Sequence, residues 1–269
     1  MGKKIFNNFD FKFINALVKY INLNFPNKRK SKYSNHYYVK NIFYVLKTGI
    51  QWNYLICESH FTSVYKKFIL WTKNNVFNNF FKNNVDLYLT YKLINNDYLK
   101  DVYIDSSHIK NINGCDTIGH NHYDRFRNST KCHIIVDENI IPITYSFTSG
   151  NKNDASQIKI LIDNLSKYRT DNRRSINVIG DKGYISKNLY EHYKNKNLFL
   201  ITPHKKNQKN KINYGYKKFK LYDRYKVEFL FMKLDKFRRI LLRFEKKVCN
   251  FISFHLIAFS YIILKFLNS

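Results

Sequence analysis

The chain has 269 residues, 47 of them lysine or arginine against 19 acids, for a formal net charge of +28, and 17% are aromatic. That length can bury the core of one or two domains, and the aromatic content excludes a disordered tail. Positive charge spread from the N-terminus to Lys265 points to a polyanionic partner, and no run of about 18 apolar residues suits a membrane span.

In chain order, Phe13, Ile14, Leu17, Tyr20 and Ile21 give a weak helical period that breaks at Pro26, and Lys28 to Lys32 forms a basic linker. Val39, Ile42, Phe43 and Leu46 fall on one helix face that stops at Thr48-Gly49. Val64, Phe68 and Trp71 repeat the spacing after a Thr62 cap, and Val76 to Phe81 begins a third segment. Short helices in a basic chain suit a DNA-binding module, or a plain helical bundle that only packs.

Beyond Asp97 the pattern changes to strands. Val102 to Asp105 is the first, followed by a polar stretch to Thr130. Lys131–Asp137 and Ile140–Phe147 form a hairpin across Glu138-Asn139. Asp154 is the expected cap of a helix bearing Ile158, Leu161, Ile162 and Leu165. Ile176 to Gly180, a helix capped by Ser186, and Leu198 to Thr202 follow. Three antiparallel strands and then alternating helix and strand predict a ribonuclease-H-like α/β fold, a mixed five-strand sheet flanked by helices. The predicted organisation is a basic segment over 1–32, a helical DNA-end-binding domain over 33–96 and a catalytic domain over 97–269.

His204 to Lys220 is dense in lysine with tyrosine and asparagine between, which suits a nucleic-acid surface or a solvated loop. A helix from Asp223 buries Val227, Leu230, Phe231, Leu234 and Leu241, with Arg224, Asp235 and Arg239 on the side of Glu228. Phe251 to Leu267 closes the fold as a core helix. The cysteines Cys57, Cys115, Cys132 and Cys249 are few and dispersed, as in a reducing compartment. Cys115, His120, His122, Cys132 and His133 crowd one region, but their spacing matches no standard zinc finger.

The chemistry lies in three acids. Asp105 ends the first strand, Asp181 ends Ile176–Gly180, and Glu228 opens the basic helix. If they converge, oxygen ligands of this kind hold hard cations, two Mg²⁺ or Mn²⁺ ions, which stabilise the attacking and leaving oxygens of a phosphodiester. Arg224 would hold a phosphate or pair with Glu228.

These residues resemble a known family, the DDE transposases of bacterial insertion sequences, in particular the insertion-sequence-five group and its insertion-sequence-four relatives. The resemblance rests on Tyr-Ile-Asp105-Ser-Ser-His, on Gly180-Asp181-Lys182-Gly183-Tyr184 and on the R-x-x-x-E element from Arg224 to Glu228. The hairpin from Lys131 with Gly150 to Asp154 and the helical Leu46 to Trp52 with Tyr65 to Trp71 extend it over roughly 33 to 267. It implies a transposase that binds inverted terminal repeats of double-stranded DNA, cleaves with Mg²⁺-activated water and transfers the strand, working as a homodimer or larger complex. Asp105, Asp181 and Glu228 become catalytic metal ligands. Arg224, Lys233, Lys236, Arg239 and Lys182 become DNA contacts. The location is intracellular and DNA-associated, a bacterial nucleoid or a eukaryotic nucleus or viral factory. The chain departs from the family at Leu221, where a tyrosine is common, at Ile56, where a proline is common, and at Asp235, where a lysine is usual. Asp235 keeps open a catalytically inactive transposase-derived DNA-binding protein. The residues are also compatible with a non-specific basic nucleic-acid binder and with a structure-selective nuclease.

Overall fold

The computed structural model describes residues 5–26, 31–122, 124–169, 171, 173–184, 187–204 and 215–269. The Ser186 cap, most of the basic linker and most of the lysine-dense loop lie outside them. The chain divides into two compact units, one of residues 1–87, 112–116 and 234–269, the other of residues 88–111 and 117–233. Residues 234–269 fall in the first of these units.

In the helical unit, α1 (Asn8–Asn24) opens on a capping box between Asn7 and Asp10 and buries Phe13, Ile14, Leu17 and Ile21. Those are residues of the predicted period. Helix α2 (Asn35–Thr48) ends at Gly49, whose φ of 72° is left-handed. A Cβ there would also lie 3.0 Å from Cβ of Arg238, so glycine is required twice over. Helix α3 (Phe61–Lys73) is capped by His60 in place of Thr62, its ring accepting the Thr62 N–H. Helix α4 (Val76–Ile94) runs well past the predicted segment.

The C-terminal elements of this unit are α8 (Arg238–Leu241) and α9 (Val248–Leu267). Helix α9 is buried almost all round from Asn250 to Ile263, the pattern of a core helix. Among the described residues it alone is long and apolar enough to cross a membrane, but 72% of that window is packed inside the protein. Arg243 is fully buried, donating to the carbonyls of Glu245 and Lys246 and pairing with Asp116. That pairing explains why residues 112–116 belong to this unit.

The second unit is built on a mixed six-strand sheet: β1 (Asp101–Lys110), β2 (Gly119–Asn121), β3 (Arg127–Asp137), β4 (Pro142–Ser149), β5 (Ile176–Gly180) and β6 (Leu198–Ile201). Its order is β2-β3-β1-β5-β6, with β4 also paired to β3. Pairing is antiparallel among β1 to β4 and parallel from β1 to β5 to β6, the ribonuclease-H-like arrangement expected. The extra strand, β2, is cut from the stretch predicted as merely polar. Helices α5 (Ile158–Ser166), α6 (Lys187–Lys194) and α7 (Tyr225–Leu234) complete the unit.

A buried ion network ties the end of α4 to the β3–β4 turn. Lys92 is 2% exposed, with its ammonium 2.7 Å from Asp97, 2.5 Å from Glu138 and 3.6 Å from Asp137. Asp137 also accepts from the Tyr88 hydroxyl and from the N–H groups of Asn139 and Ile141. Removing the cation leaves fully buried Asp137 and partly exposed Asp97 and Glu138 facing one another without it. Lys92→Met is therefore expected to lower unfolding free energy by about 3–5 kcal/mol in denaturant titration.

His255 makes stability depend on pH. Burial drops its pKa from an ordinary 6.5 to about 4, so the folded chain holds this ring neutral while the unfolded chain protonates it. Its contribution is full above pH 6.5 and is lost as pH falls toward about 4. Thermal melts over that window should show the native protein losing stability relative to His255→Leu, and parallel curves for the two would contradict this account.

Candidate active site

The pairing of β1 with β5 sets Ile104 opposite Gly180. The next residue after each is an acid. Asp105 lies midway along β1, which runs on to Lys110 beyond the predicted end, and Asp181 stands just past the end of β5. The two acids thus follow paired residues on neighbouring strands about 4.8 Å apart. Gly180 is needed for that closeness. A Cβ on it would come within 2.7 Å of Cγ2 of Ile104 and 3.3 Å of the Tyr184 ring. After the strand, the Asp181 carboxylate accepts the N–H of Gly183 at 2.8 Å and its carbonyl accepts that of Tyr184 at 3.0 Å. This tight turn fixes the second acid.

Asp105 accepts the N–H of Ser106 at 2.8 Å. Burial pushes its pKa up to about 6, with Asp181 and Asp154 adding to the rise while the Ser106 bond and Arg224 oppose it. Three carboxylates therefore feel one another here.

Asp154 is the acid that sequence reasoning placed wrongly. The predicted cap is in fact its neighbour: the Asn153 side chain accepts the N–H of Ala155 and starts the turn that leads to α5. That frees Asp154 to turn inward. One of its oxygens accepts from the Ser106 hydroxyl at 3.0 Å and from buried Lys131 at 3.0 Å, with His133 Nδ1 at 3.6 Å. Its other oxygen and Oδ1 of Asp181 lie 3.5 and 4.0 Å from the point a Gly183 Cβ would occupy. The signal was present in the sequence as two adjacent capping residues, of which only one can cap. Tyr184 lies buried beneath the acids, its phenol pKa raised by that burial and then by Asp154 and Asp105.

Glu228 stands on the first turn of α7 and is exposed. The helix start is anchored on the Asp105 face of β1, where Lys226 lies 5.2 Å over the ring of Tyr103 and 3.5 Å from its hydroxyl. Tyr103 and Asp105, two apart on a strand, share that face. Arg224 lowers the Asp105 pKa against the burial that raises it. The structure thus brings together Asp105, Asp181, Asp154 and Arg224 and leaves Glu228 on the adjoining helix surface.

Of the predicted DNA contacts, Lys182 and Lys236 are exposed, and Arg224 and Lys233 are half-buried. Arg239 is a correction. It is 4% exposed, bonded to Glu245 at 2.5 and 3.0 Å and to the Ile50 carbonyl at 3.2 Å, and stacked over Trp52 and Phe254. The continuous helix expected to carry it past Glu228 ends at Leu234, where the chain turns and Phe237 N–H caps the Leu234 carbonyl at 2.9 Å. Asp235, exposed in that turn, therefore does not share a helix face with Glu228 either.

The chemistry of the donors fits a hard divalent cation. Half-buried carboxylates supply only oxygen, and burial, with Asp181 and Asp154 nearby, makes Asp105 hold its proton more firmly than an ordinary carboxyl. Among the described residues no three His, Cys, Asp or Glu side chains are close enough to enclose an ion. The crowded cysteines and histidines form no such group either. Cys132 is fully buried and Cys115 is exposed in the other unit.

A family model described as a transposase DDE domain matches residues 102–263. The fold is similar to that of a piggyBac transposase synaptic complex with hairpin DNA, at 11% identity and a TM-score of 0.54, over 96% of this chain and 73% of that one. A Mos1 strand transfer complex matches at 11% identity and a TM-score of 0.29 over 82% of this chain and 81% of that one. A pre-cleavage Mos1 transpososome matches at 13% and 0.29, over 88% and 79%. No curated protein sequence matches the chain.

Packing where β1 meets the end of β5 gives a direct check. Gly180→Ala should cost about 1–3 kcal/mol of stability through the Ile104 contact. In a double-mutant cycle with Ile104→Ala the combined loss should fall short of the sum of the single losses, and strict additivity would show that the two side chains do not meet.

Proposed function

The chain belongs to the transposase DDE domain family, and from that premise we propose that it is a transposase acting on the inverted repeats at the ends of its own element. It would cleave double-stranded DNA there and join the freed 3′ end to a target. The observation that supports this reading is the register of β1 on β5, which pairs Ile104 with Gly180, the residues just before Asp105 and Asp181.

Asp105 and Asp181 would hold Mg²⁺ or Mn²⁺, with Glu228 on the α7 surface as third ligand. When bound, such ions activate a water or a 3′ hydroxyl and neutralise charge on the phosphate oxygens in flight. The remaining work falls to the protein. Arg224 sits where it can take a phosphate beside Asp105. Lys182 and Lys233 extend positive charge along the sheet unit, while exposed Lys236 and the rest of the +28 surface supply sequence-independent attraction to the backbone. Asp154, fixed by Lys131 and Ser106, holds the Asp105 side of the site in place. Joining two ends of one element calls for more than one active site, so the working species would be a dimer or larger complex on DNA.

Incubating the purified chain with a labelled duplex bearing the element end and Mg²⁺ is the test. Nicking at the end should fall by at least about a hundredfold in Asp105→Asn, Asp181→Asn and Glu228→Gln and vanish with chelator, while end binding persists. Cleavage unchanged in Asp181→Asn would remove the assignment. Specific binding with no cleavage by the native chain would instead mark an inactive transposase-derived DNA-binding protein.

A further inference from the structure

The segment from Phe219 to Met232 carries a row of large apolar side chains that the fold leaves in water. Residues Gly215–Arg224 form a 3-10 helix that runs directly into α7. In a 3-10 helix residues three apart eclipse one another, so Phe219 stands in line with Tyr222 and Tyr225 continues the row. In the α-helix that follows, Phe229 and Met232 are four and seven residues beyond Tyr225, on the same face. Their exposures are 72% for Phe219, 79% for Tyr222, 48% for Tyr225, 42% for Phe229 and 60% for Met232. The opposite face of α7 is spent in the core through Val227, Leu230 and Leu234. Scattered exposed apolar residues need no explanation, but an ordered row of five on one face does.

The setting of the row selects its partner. It begins beside exposed Lys218, passes Arg224 and ends next to Lys233, in a chain whose net charge is +28. A second copy of the chain would bring the same large positive charge against it. A partner that is both polyanionic and rich in flat apolar faces is a nucleic acid with unpaired bases, since a duplex keeps those faces stacked inside. The row also borders Glu228, which shares the exposed side of α7.

The geometry points to this row as a stacking surface for unpaired nucleotides, binding them through the rings of Phe219, Tyr222, Tyr225 and Phe229 and independently of any cation. It deepens the proposed DNA-cutting activity by naming the strand state that the site takes, and in that sense rests on it.

Fluorescence anisotropy of the full chain with a labelled single-stranded deoxyoligonucleotide and with its blunt duplex, both without divalent cation, tests the surface. Phe219→Ala and Tyr222→Ala should each lose about tenfold in single-strand affinity and leave duplex affinity unchanged, because stacking contributes roughly 1–3 kcal/mol per base. Tyr222→Phe should keep the affinity. Tyr222→Leu should lose it, since apolar area remains but the ring does not. Equal losses on both oligonucleotides, no loss in the alanine variants, or a drop in self-association by sedimentation with oligonucleotide affinity intact would each overturn the proposal, the last by assigning the row to a second copy. If the row variants behave as expected while Asp105→Asn still cleaves, the surface stands and the cleavage site is wrong. If cleavage depends on Asp105 but the row variants bind as the native chain does, the reverse holds.

Discussion

The parallel pairing of β1 and β5 is the constraint from which the site follows. Both strands are buried where they meet, so the residues between Ile176 and Gly180 are closed to water and a charge can emerge only where the strand ends. Glycine at 180 lets the backbones and Ile104 approach, and the turn locked by the Asp181 carboxylate prevents that acid from swinging away. Two carboxylates are thereby held on adjacent strands, one within β1 and one just past the end of β5, by packing and backbone hydrogen bonds, with no need for attraction between them. Repulsion between them is overruled by the sheet.

The local electrostatics run against the global charge. In a chain of +28, Asp105 nevertheless sits at a pKa of about 6, because burial and two neighbouring acids outweigh Arg224. Lys131 does not relieve it, since its ammonium is shared between Asp154 and the Lys152 carbonyl at 3.0 Å each. Much of the remaining buried positive charge is likewise committed: Lys92 to Asp97 and Glu138, Arg239 to Glu245, Arg243 to Asp116. The charge left to meet a polyanion is the exposed lysine, while the acid pocket is left short of cations. A divalent ion held by Asp105 and Asp181, as proposed, would answer that shortage.

How much of this was legible in the sequence depended on how local each signal is. The end of β5 could be read because an apolar run ending in an acid says where the acid goes, and the mixed sheet followed from the hairpin and the alternation after it. Strand β1 was expected to stop at Asp105 but runs to Lys110, its polar second half held by pairing with β3. Positions governed by competition or by distant packing could not. Asn153 and Asp154 both look like caps, and the choice of Asn153 is made by Ser106 and Lys131, which lie 48 and 23 residues away from Asp154. Arg239 looked like a surface cation on a long helix. Burial of Phe237 and the pairing with Glu245 end α7 at Leu234 and draw Arg239 into a core of Trp52 and Phe254. An arginine three helical turns past an acid carries no mark that tells these outcomes apart.

The proposed polymer substrate would call for an open surface and not a deep cavity. At the opposite end of the same strands, where β5 begins at Ile176, a cavity of about 30 Å³ is lined by Leu89, Tyr98, Tyr168 and Arg174, room for little more than a water. The acids are half-buried on the sheet side and exposed at Glu228 on the α7 side. Under the proposed reading a duplex would be met at that surface, with the fixed charge on one flank and room for the strand on the other. Helix α7 has two faces: Lys226 against Tyr103 anchors it beside Asp105, and the side turned to solvent carries Glu228 together with the aromatic row. As the proposed third ligand, Glu228 would close on a strand already lying against the sheet, which an acid buried with the other two could not do.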